Sequence, residues 1–294
     1  MTSVEDVAVP GARLHTEIRG SGPLLLCVVG GNGDPTVFGP LADLLAPRWT
    51  VVTYVRRGFV RSPVDGEVGE DKLGADVEDA AALVERHGGP AVVLGSSSGA
   101  IVALELLVRR PDLVRAVVAH EPPLVSVLSD RDAIVARFDA VLATYRREGA
   151  EAAMPEFGEV TGVGVRRRSP DDDGAAPEEP AEPAEPERIP PEFLAMRERW
   201  PANNAFWFEH EYGPYPVHEL DLAALRRHAD RLVLAVGRRS REEGQLASRP
   251  NLRLAPELGL DAVEVPGGHL GYVEEPAGFA AALEGAVRLL AWES

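Results

Sequence analysis

Apolar and polar positions along this chain follow two alternating periods. Residues 12–18 change polarity at nearly every step, the pattern of a half-buried strand. Residues 23–29 and 49–55 are almost continuously apolar, as strands buried on both faces are. Between these runs, residues 37–45 have helical spacing and stop before Pro47. Residues 72–87 place Leu73, Val77, Ala80, Ala81 and Val84 on one helical face and end at Gly88-Gly89-Pro90. A strand signal at 91–94, a helix at 100–107 closed by Pro111, and a strand at 113–119 follow. Apolar strands separated by helices predict an α/β fold with a mostly parallel central sheet covered on both faces.

The pattern changes after Pro122. As far as about His228 there are helical stretches at 130–147 and 191–200 and no convincing strand. Alternation then resumes, with strands at 231–236 and 262–265, a partly helical run at 243–258 and a helix at 277–292. The chain therefore divides into a core formed by residues 1–124 and 229–294 and a helical cap inserted at 125–228, expected over the sheet's carboxyl edge, where open α/β sheets bind ligands. Between 169 and 190 lie eight acids, one base and six prolines. Such a stretch buries little apolar area and sustains neither helix nor ladder, so a solvated, extended loop is expected there.

Charge and composition narrow the function. A net charge of -17 over 294 residues argues against nucleic acid or an anionic membrane as partner. No apolar run approaches the roughly 20 residues of a membrane span. The N-terminus is acidic and shows no basic-then-apolar leader, so a cytoplasmic protein is expected. The single cysteine, Cys27, sits in an apolar run and reads as a buried core residue. No cysteine pair or His/Asp cluster has metal-ligand spacing, and neither a metal nor an organic cofactor is expected. The expected partner is a small-molecule substrate, and a homodimer stays open.

The chemistry is concentrated in Gly95-Ser96-Ser97-Ser98-Gly99, between the apolar run Ala91-Val92-Val93-Leu94 and a helical stretch. This is the G-x-S-x-G pattern of a nucleophile elbow centred on Ser97. So tight a strand-to-helix turn strains the serine backbone and crowds the helix onto the strand, which favours glycine on both sides. The Ser98 N–H then lies at the helix start, placed for an oxyanion. A serine hydroxyl needs a base and the base an orienting acid, in the chain order Ser, acid, His. His269, in Pro266-Gly267-Gly268-His269-Leu270-Gly271 after the last strand, is the best base. His120 and His210 are candidates for pocket lining only. Two places suit the acid. After the strand Leu232–Val236 the position holds Ser240, with Glu242 beyond it; at the end of the strand after the nucleophile helix stands Glu121, before two prolines. Glu121 is preferred, and Glu242 or a cap residue such as Glu211 remains open. The loop Val29-Gly30-Gly31-Asn32-Gly33-Asp34 offers the N–H of Gly31 or Asn32 as second oxyanion donor. In the cap, Phe206, Trp207 and His210 fall in an aromatic- and amide-rich stretch that either lines the substrate pocket or forms the cap's own core.

With the elbow, the Gly-Gly loop, the late Gly-Gly-His and the inserted cap, the chain resembles the α/β-hydrolase superfamily over roughly residues 12–124 and 229–292. Tyr54-Val55-Arg56-Arg57-Gly58 also resembles that family's Tyr-Asp-Arg-Arg-Gly turn, with Val55 in place of aspartate. The usual oxyanion-loop His-Gly is here Val29-Gly30, and the usual aspartate after the later strand is absent. The serine nucleophile sets the chain apart from haloalkane dehalogenases and epoxide hydrolases, which use aspartate; a glutamate placed like Glu121 serves as the acid in some dehalogenases of the superfamily. The resemblance implies a serine hydrolase for a small or medium ester, thioester or lactone. Acyl transfer, cyclisation or cofactor-free peroxidation in the same pocket, or ligand binding with vestigial chemistry, are the alternatives.

Overall fold

In the computed structural model of the protein, residues 2–163 and 190–290 are described. Up to Pro190, the acidic segment predicted as an extended loop lies outside them.

The chain opens with strands β1 (Thr2–Val9), β2 (Ala12–Arg19) and β3 (Leu24–Val28), then helix α1 (Gly39–Leu45) and β4 (Thr50–Tyr54). After α2 (Lys72–Arg86) come β5 (Ala91–Ser96), α3 (Ser98–Arg109) and β6 (Val114–His120). Helices α4 (Arg131–Glu148), α5 (Ala150–Thr161), α6 (Pro191–His210) and α7 (Leu222–Arg227) precede β7 (Leu232–Gly237). Short α8 (Arg238–Glu242), α9 (Arg249–Leu258), β8 (Ala262–Val265), α10 (Gly271–Glu274) and α11 (Pro276–Leu289) complete the described chain. The strands form one eight-stranded sheet in the order β1-β2-β4-β3-β5-β6-β7-β8. Pairing is parallel from β4 to β8, and the β1–β2 and β2–β4 pairs are antiparallel.

The apolar strands sort by residue parity. Leu24, Leu26 and Val28 of β3 face a core that takes in α2, α3 and α9, while Leu25, Cys27 and Val29 face a second core built on α1 and α11. Strand β5 does the same, with Ala91 and Val93 on one side and Val92 and Leu94 on the other. A two-residue period sandwiched between helices is why these runs read as apolar throughout. A third cluster, containing Phe138, Val141, Phe208 and Tyr212, holds the inserted helices together.

The short helices α7, α8 and α10 carry no sequence signal, and three longer elements also differ from the sequence expectation. Strand β1 carries no clear signal, because it is an edge strand with only Val7 buried and charges along its length. Helix α5 carries Pro155 and Gly158, which mask its period. Helix α6 runs ten residues past the predicted stop at Trp200, through Pro201 to His210. A proline there removes one backbone donor, but burial of Asn203 and Phe208 beyond it holds the helix on course. Among the described residues, no helix is long and apolar enough to cross a membrane.

The junction of β5 and α3 is the tightest packing that bears on function. A Cβ on Gly99 would meet the backbone carbonyls of Val28 and Val29, and one on Gly95 would meet the Gly99 carbonyl. Backbone has nowhere to move at such a contact. Gly99→Ala is therefore expected to lower stability by at least the ~1–3 kcal/mol typical of overpacking, read as a fall in melting temperature or loss of soluble protein.

Candidate active site

Three described non-glycine residues have positive φ: Asn32 at 77°, Ser97 at 55° and Glu121 at 48°. Each follows the carboxyl end of a neighbouring central strand, β3, β5 or β6. Such backbone costs roughly 1–3 kcal/mol per residue and clusters where function requires a fixed geometry. Ser97 is the elbow residue itself, held by its N–H donating to the His120 carbonyl at 2.9 Å. Its side chain is unconstrained by any cap of α3, and it stands half-exposed where the sheet ends.

His269 follows β8 in a loop fixed by backbone and side chain. Gly268 N–H donates to Glu274 at 3.0 Å, and Gly271 N–H to the Gly268 carbonyl at 2.9 Å. Its Nδ1 lies 2.7 Å from Glu121 Oε2. Glu121 is fully buried. Its carboxylate also accepts the Gly237 N–H at 2.9 Å and the Ser240 hydroxyl at 3.2 Å. Burial pulls this carboxyl upward, but the His269 hydrogen bond, the nearby His120 and His269 rings and the Gly237 N–H outweigh it and hold the group below its ordinary range. An ionised carboxylate is an acceptor only, so it is His269 Nδ1 that carries the hydrogen of this bond, which leaves Nε2 as the ring nitrogen not engaged by Glu121. Ser240 stands at the other position that suits an acid, after β7, and there it donates its hydroxyl to Glu121. Glu242 is exposed at the end of α8, and Glu211 is paired with Arg56 and Lys72. Neither reaches His269.

His120 is buried behind His269, ring centroids 6.1 Å apart, with Nδ1 3.1 Å from Ser96 Oγ. Burial lowers it to about 4, so it is neutral at pH 7. It lines neither cavity at Ser97, contrary to the sequence expectation.

The Gly30–Asn32 loop lies against the elbow. A Cβ on Gly30 would come within 2.6 Å of Ser97 Cβ, and one on Gly31 within 2.7 Å of Trp207 Nε1. Helix α6 fastens this loop through side-chain amides: Asn32 Nδ2 donates to Asn204 Oδ1 at 3.1 Å, and Asn203 Nδ2 to Asn32 Oδ1 at 3.4 Å. Buried Arg56 fastens it from below, donating through Nη1 to the Val29 and Gly30 carbonyls and to Ser98 Oγ. Arg56 Nη2 in turn donates to Asp76 at 2.7 Å and to Glu211. Lys72 donates to Asp76 and Glu211 at 2.9 Å, and Tyr215 to Asp76 at 2.6 Å. Burial works against the Asp76 charge, yet Arg56 and Lys72 hold its carboxyl well below the usual range. Sequence reasoning missed this cluster, since its members come from α2, the β4 loop and the chain after α6.

Two cavities meet at Ser97 and His269. The inner one, about 50 Å³, is walled mainly by Phe138, Phe157, Trp207, Tyr212 and Leu246. The outer one, about 260 Å³, runs past Gly30, Gly31, Asn32, Trp200 and Leu270. Among the described residues no hydrogen bond joins Ser97 Oγ to His269; the two share the wall of both spaces. Ser98 lines the inner cavity and Trp207 lines both. Phe206 and His210 line neither. Phe206 packs on Phe59, with centroids 4.9 Å apart, and His210 packs on Phe206 at 4.5 Å. The 3.6-residue period explains the difference: Trp200, Asn204, Trp207 and Glu211 share a stripe, and 206 and 210 lie on the next one.

The chain and its fold have counterparts. A model of the alpha/beta hydrolase family matches residues 25–282, and the chain belongs to that family. An uncharacterized hydrolase of Bacillus subtilis (strain 168), YraK, is 30% identical over 271 residues, which cover 90% of this chain and 88% of that one. A 2-(acetamidomethylene)succinate hydrolase of Mesorhizobium japonicum is 33% identical over 130 residues, 43% of this chain and 45% of that one. Among solved structures, the enol-lactonase from Burkholderia xenovorans LB400 superposes with a TM-score of 0.66 at 18% identity, covering 97% of this chain and all of that one.

The depressed Glu121 carboxyl carries a pH consequence. Its stabilisation is present above the unfolded value, near 4.5, and is lost as pH falls through the lower folded value. The gap in melting temperature between the native protein and Glu121→Gln is expected to narrow steadily below about pH 4.5. A gap that stays constant in thermal melts across that range would contradict it.

Proposed function

We propose that the protein is a serine hydrolase that cleaves a small or medium ester, thioester or lactone through an acyl-enzyme, with the inserted helices 125–228 acting as its cap. The observation that carries this reading is the hydrogen bond from half-buried His269 to buried Glu121, with the His269 ring sharing a cavity wall with Ser97 on a strained elbow. Kinship with proteins named as hydrolases supports hydrolysis above the other uses of the fold.

In the proposed cycle Ser97 Oγ attacks the substrate carbonyl and its proton passes to His269 Nε2. Glu121 holds the ring and stabilises the imidazolium that forms. The carbonyl oxygen becomes an oxyanion, taken by the N–H of Ser98 at the start of α3 and by that of Gly31 or Asn32. Collapse breaks the bond to the alcohol, thiol or lactone oxygen, which leaves with the proton from His269. Water, deprotonated by the same nitrogen, then attacks the acyl-enzyme and releases the acid and free Ser97. Neither a metal nor an organic cofactor enters this sequence.

A fluorophosphonate is expected to label the native protein once, as read by intact mass, and to leave Ser97→Ala unlabelled. On any ester the native protein cleaves, Ser97→Ala should lower kcat by roughly 10⁶, and Glu121→Gln by roughly 10⁴ as a mis-held imidazole does. Labelling or turnover that survives in Ser97→Ala would sink the proposal.

A further inference from the structure

Ser97 and His269 sit where two unequal spaces meet. Among the described residues that line the inner cavity none is exposed, and Phe138, Tyr212, Tyr215, Leu246 and Ala247 are all buried. The outer cavity reaches the surface, since Trp200 and Leu270 on its wall are 43% and 39% exposed. One space is a blind end and the other an open mouth.

The inner wall is chiefly aromatic and aliphatic, and several of its polar side chains are engaged elsewhere. Thr161 donates its hydroxyl to the Phe157 carbonyl at 2.8 Å, and Tyr215 donates to Asp76 at 2.6 Å. The Glu211 charge is compensated by Arg56 and Lys72. The volume of about 50 Å³ holds roughly three to five atoms, at the ~10–15 Å³ that one water-sized sphere occupies. The outer cavity, about 260 Å³, holds a much larger group. Val29, Val37, Met154 and Tyr272 give it an apolar lining that continues to Trp200 and Leu270 at the surface.

The order of events in an acyl-enzyme cycle decides which part of a substrate each space can take. Attack forms the bond between Ser97 Oγ and the acyl carbon. Collapse breaks the bond from that carbon to the leaving oxygen, which takes the proton held on His269. The alcohol must then depart before water enters, while the acyl group stays on Ser97. An alcohol lodged in the blind space would be shut in behind that acyl group. One lodged in the outer cavity leaves directly by the mouth.

Resting on the serine-hydrolase reading, we propose that the inner cavity takes the acyl chain and the outer cavity the alcohol. The substrates are then esters of short apolar acids, about four to six carbons long, with larger apolar alcohols. A lactone suits this division poorly, because its acid and alcohol are one chain and both stay on Ser97 when the ring opens. Phe138, Leu246 and Ala247 become the residues that set the length of the acid.

The test uses two ester series, each kcat/KM divided by the ester's uncatalysed rate. In the first, p-nitrophenol is kept and the acid runs from acetate to octanoate. In the second, butyrate is kept and the alcohol runs from methanol to hexanol and benzyl alcohol. The acid series is expected to peak between butyrate and hexanoate and to fall roughly tenfold or more by octanoate. The alcohol series should show no such fall. Ala247→Val should move the break to shorter acids and Phe138→Leu to longer ones, so each answers where the other folds poorly, and the native series needs neither. A flat acid series, a fall in the alcohol series, or a break unmoved in both variants would overturn the proposal. Cleavage that survives Ser97→Ala with the break intact overturns the serine reading and leaves the division between cavities standing. A missing break in a protein that Ser97→Ala silences overturns the division alone, and no cleavage of any ester overturns both.

Discussion

The contact between the start of α3 and the end of β3 is the constraint on which the site depends. Gly99 lies so close to the Val28 and Val29 carbonyls that no side chain fits between helix and strand. That approach brings the elbow and the Gly30–Asn32 loop to one place, and Arg56 ties them there through the Val29 and Gly30 carbonyls and Ser98 Oγ. A buried guanidinium is tolerable only with its charge compensated, which is what Asp76 and Glu211 supply. The proposed nucleophile, the proposed oxyanion donors and the ion cluster thus form one mechanical unit. The strain at Ser97 and Asn32 is borne by packing that leaves the backbone no other course.

On the far side of Ser97 a second unit holds the proposed base, His269. Strands β6 and β7 pair as far as His120 and Ala235, and Asn251 donates from one amide nitrogen to both the Ala119 and Ala235 carbonyls at 2.8 Å. Glu121 leaves β6 at that point, donates its N–H to the Ala235 carbonyl and turns its carboxylate to Gly237 and Ser240. A serine after β7 has no charge to offer an imidazolium, but it can donate a hydrogen bond to a carboxylate that arrives from the neighbouring strand. The proposed acid thus stands one strand before the position held by Ser240, and from there it reaches Nδ1 of His269.

What can be read from the sequence is local. The elbow is written in five consecutive residues, because its turn admits only certain backbones. His269 is marked by the glycines before it, and Glu121 by the incongruity of a charge at the end of an apolar strand. The parallel sheet is legible because strands buried on both faces leave long apolar runs. Phe206 and His210 fall outside the cavities because composition cannot show which stripe of a helix faces inward, and the predicted break at Pro201 hides the register that would show it. Lys72 and Asp76 are an i,i+4 pair on α2, and Glu211 and Tyr215 share one turn, but only the fold brings these two pairs and Arg56 together. Nothing near either pair signals the other.

Helix α6 joins these parts. Its inward stripe gives Asn203 and Asn204 to the Gly30–Asn32 loop and Trp207 to both cavities, and the turn after it gives Glu211 to the ion cluster and Tyr212 to the inner wall. A shift of this helix would loosen the loop, reshape both cavities and uncover the Arg56 charge together. Its position therefore couples what the site accepts to how well the site is assembled. Because Glu211 compensates a charge beneath the loop and also lines the inner cavity, the shape of that cavity and the rigidity of the proposed oxyanion loop rest on the same side chain.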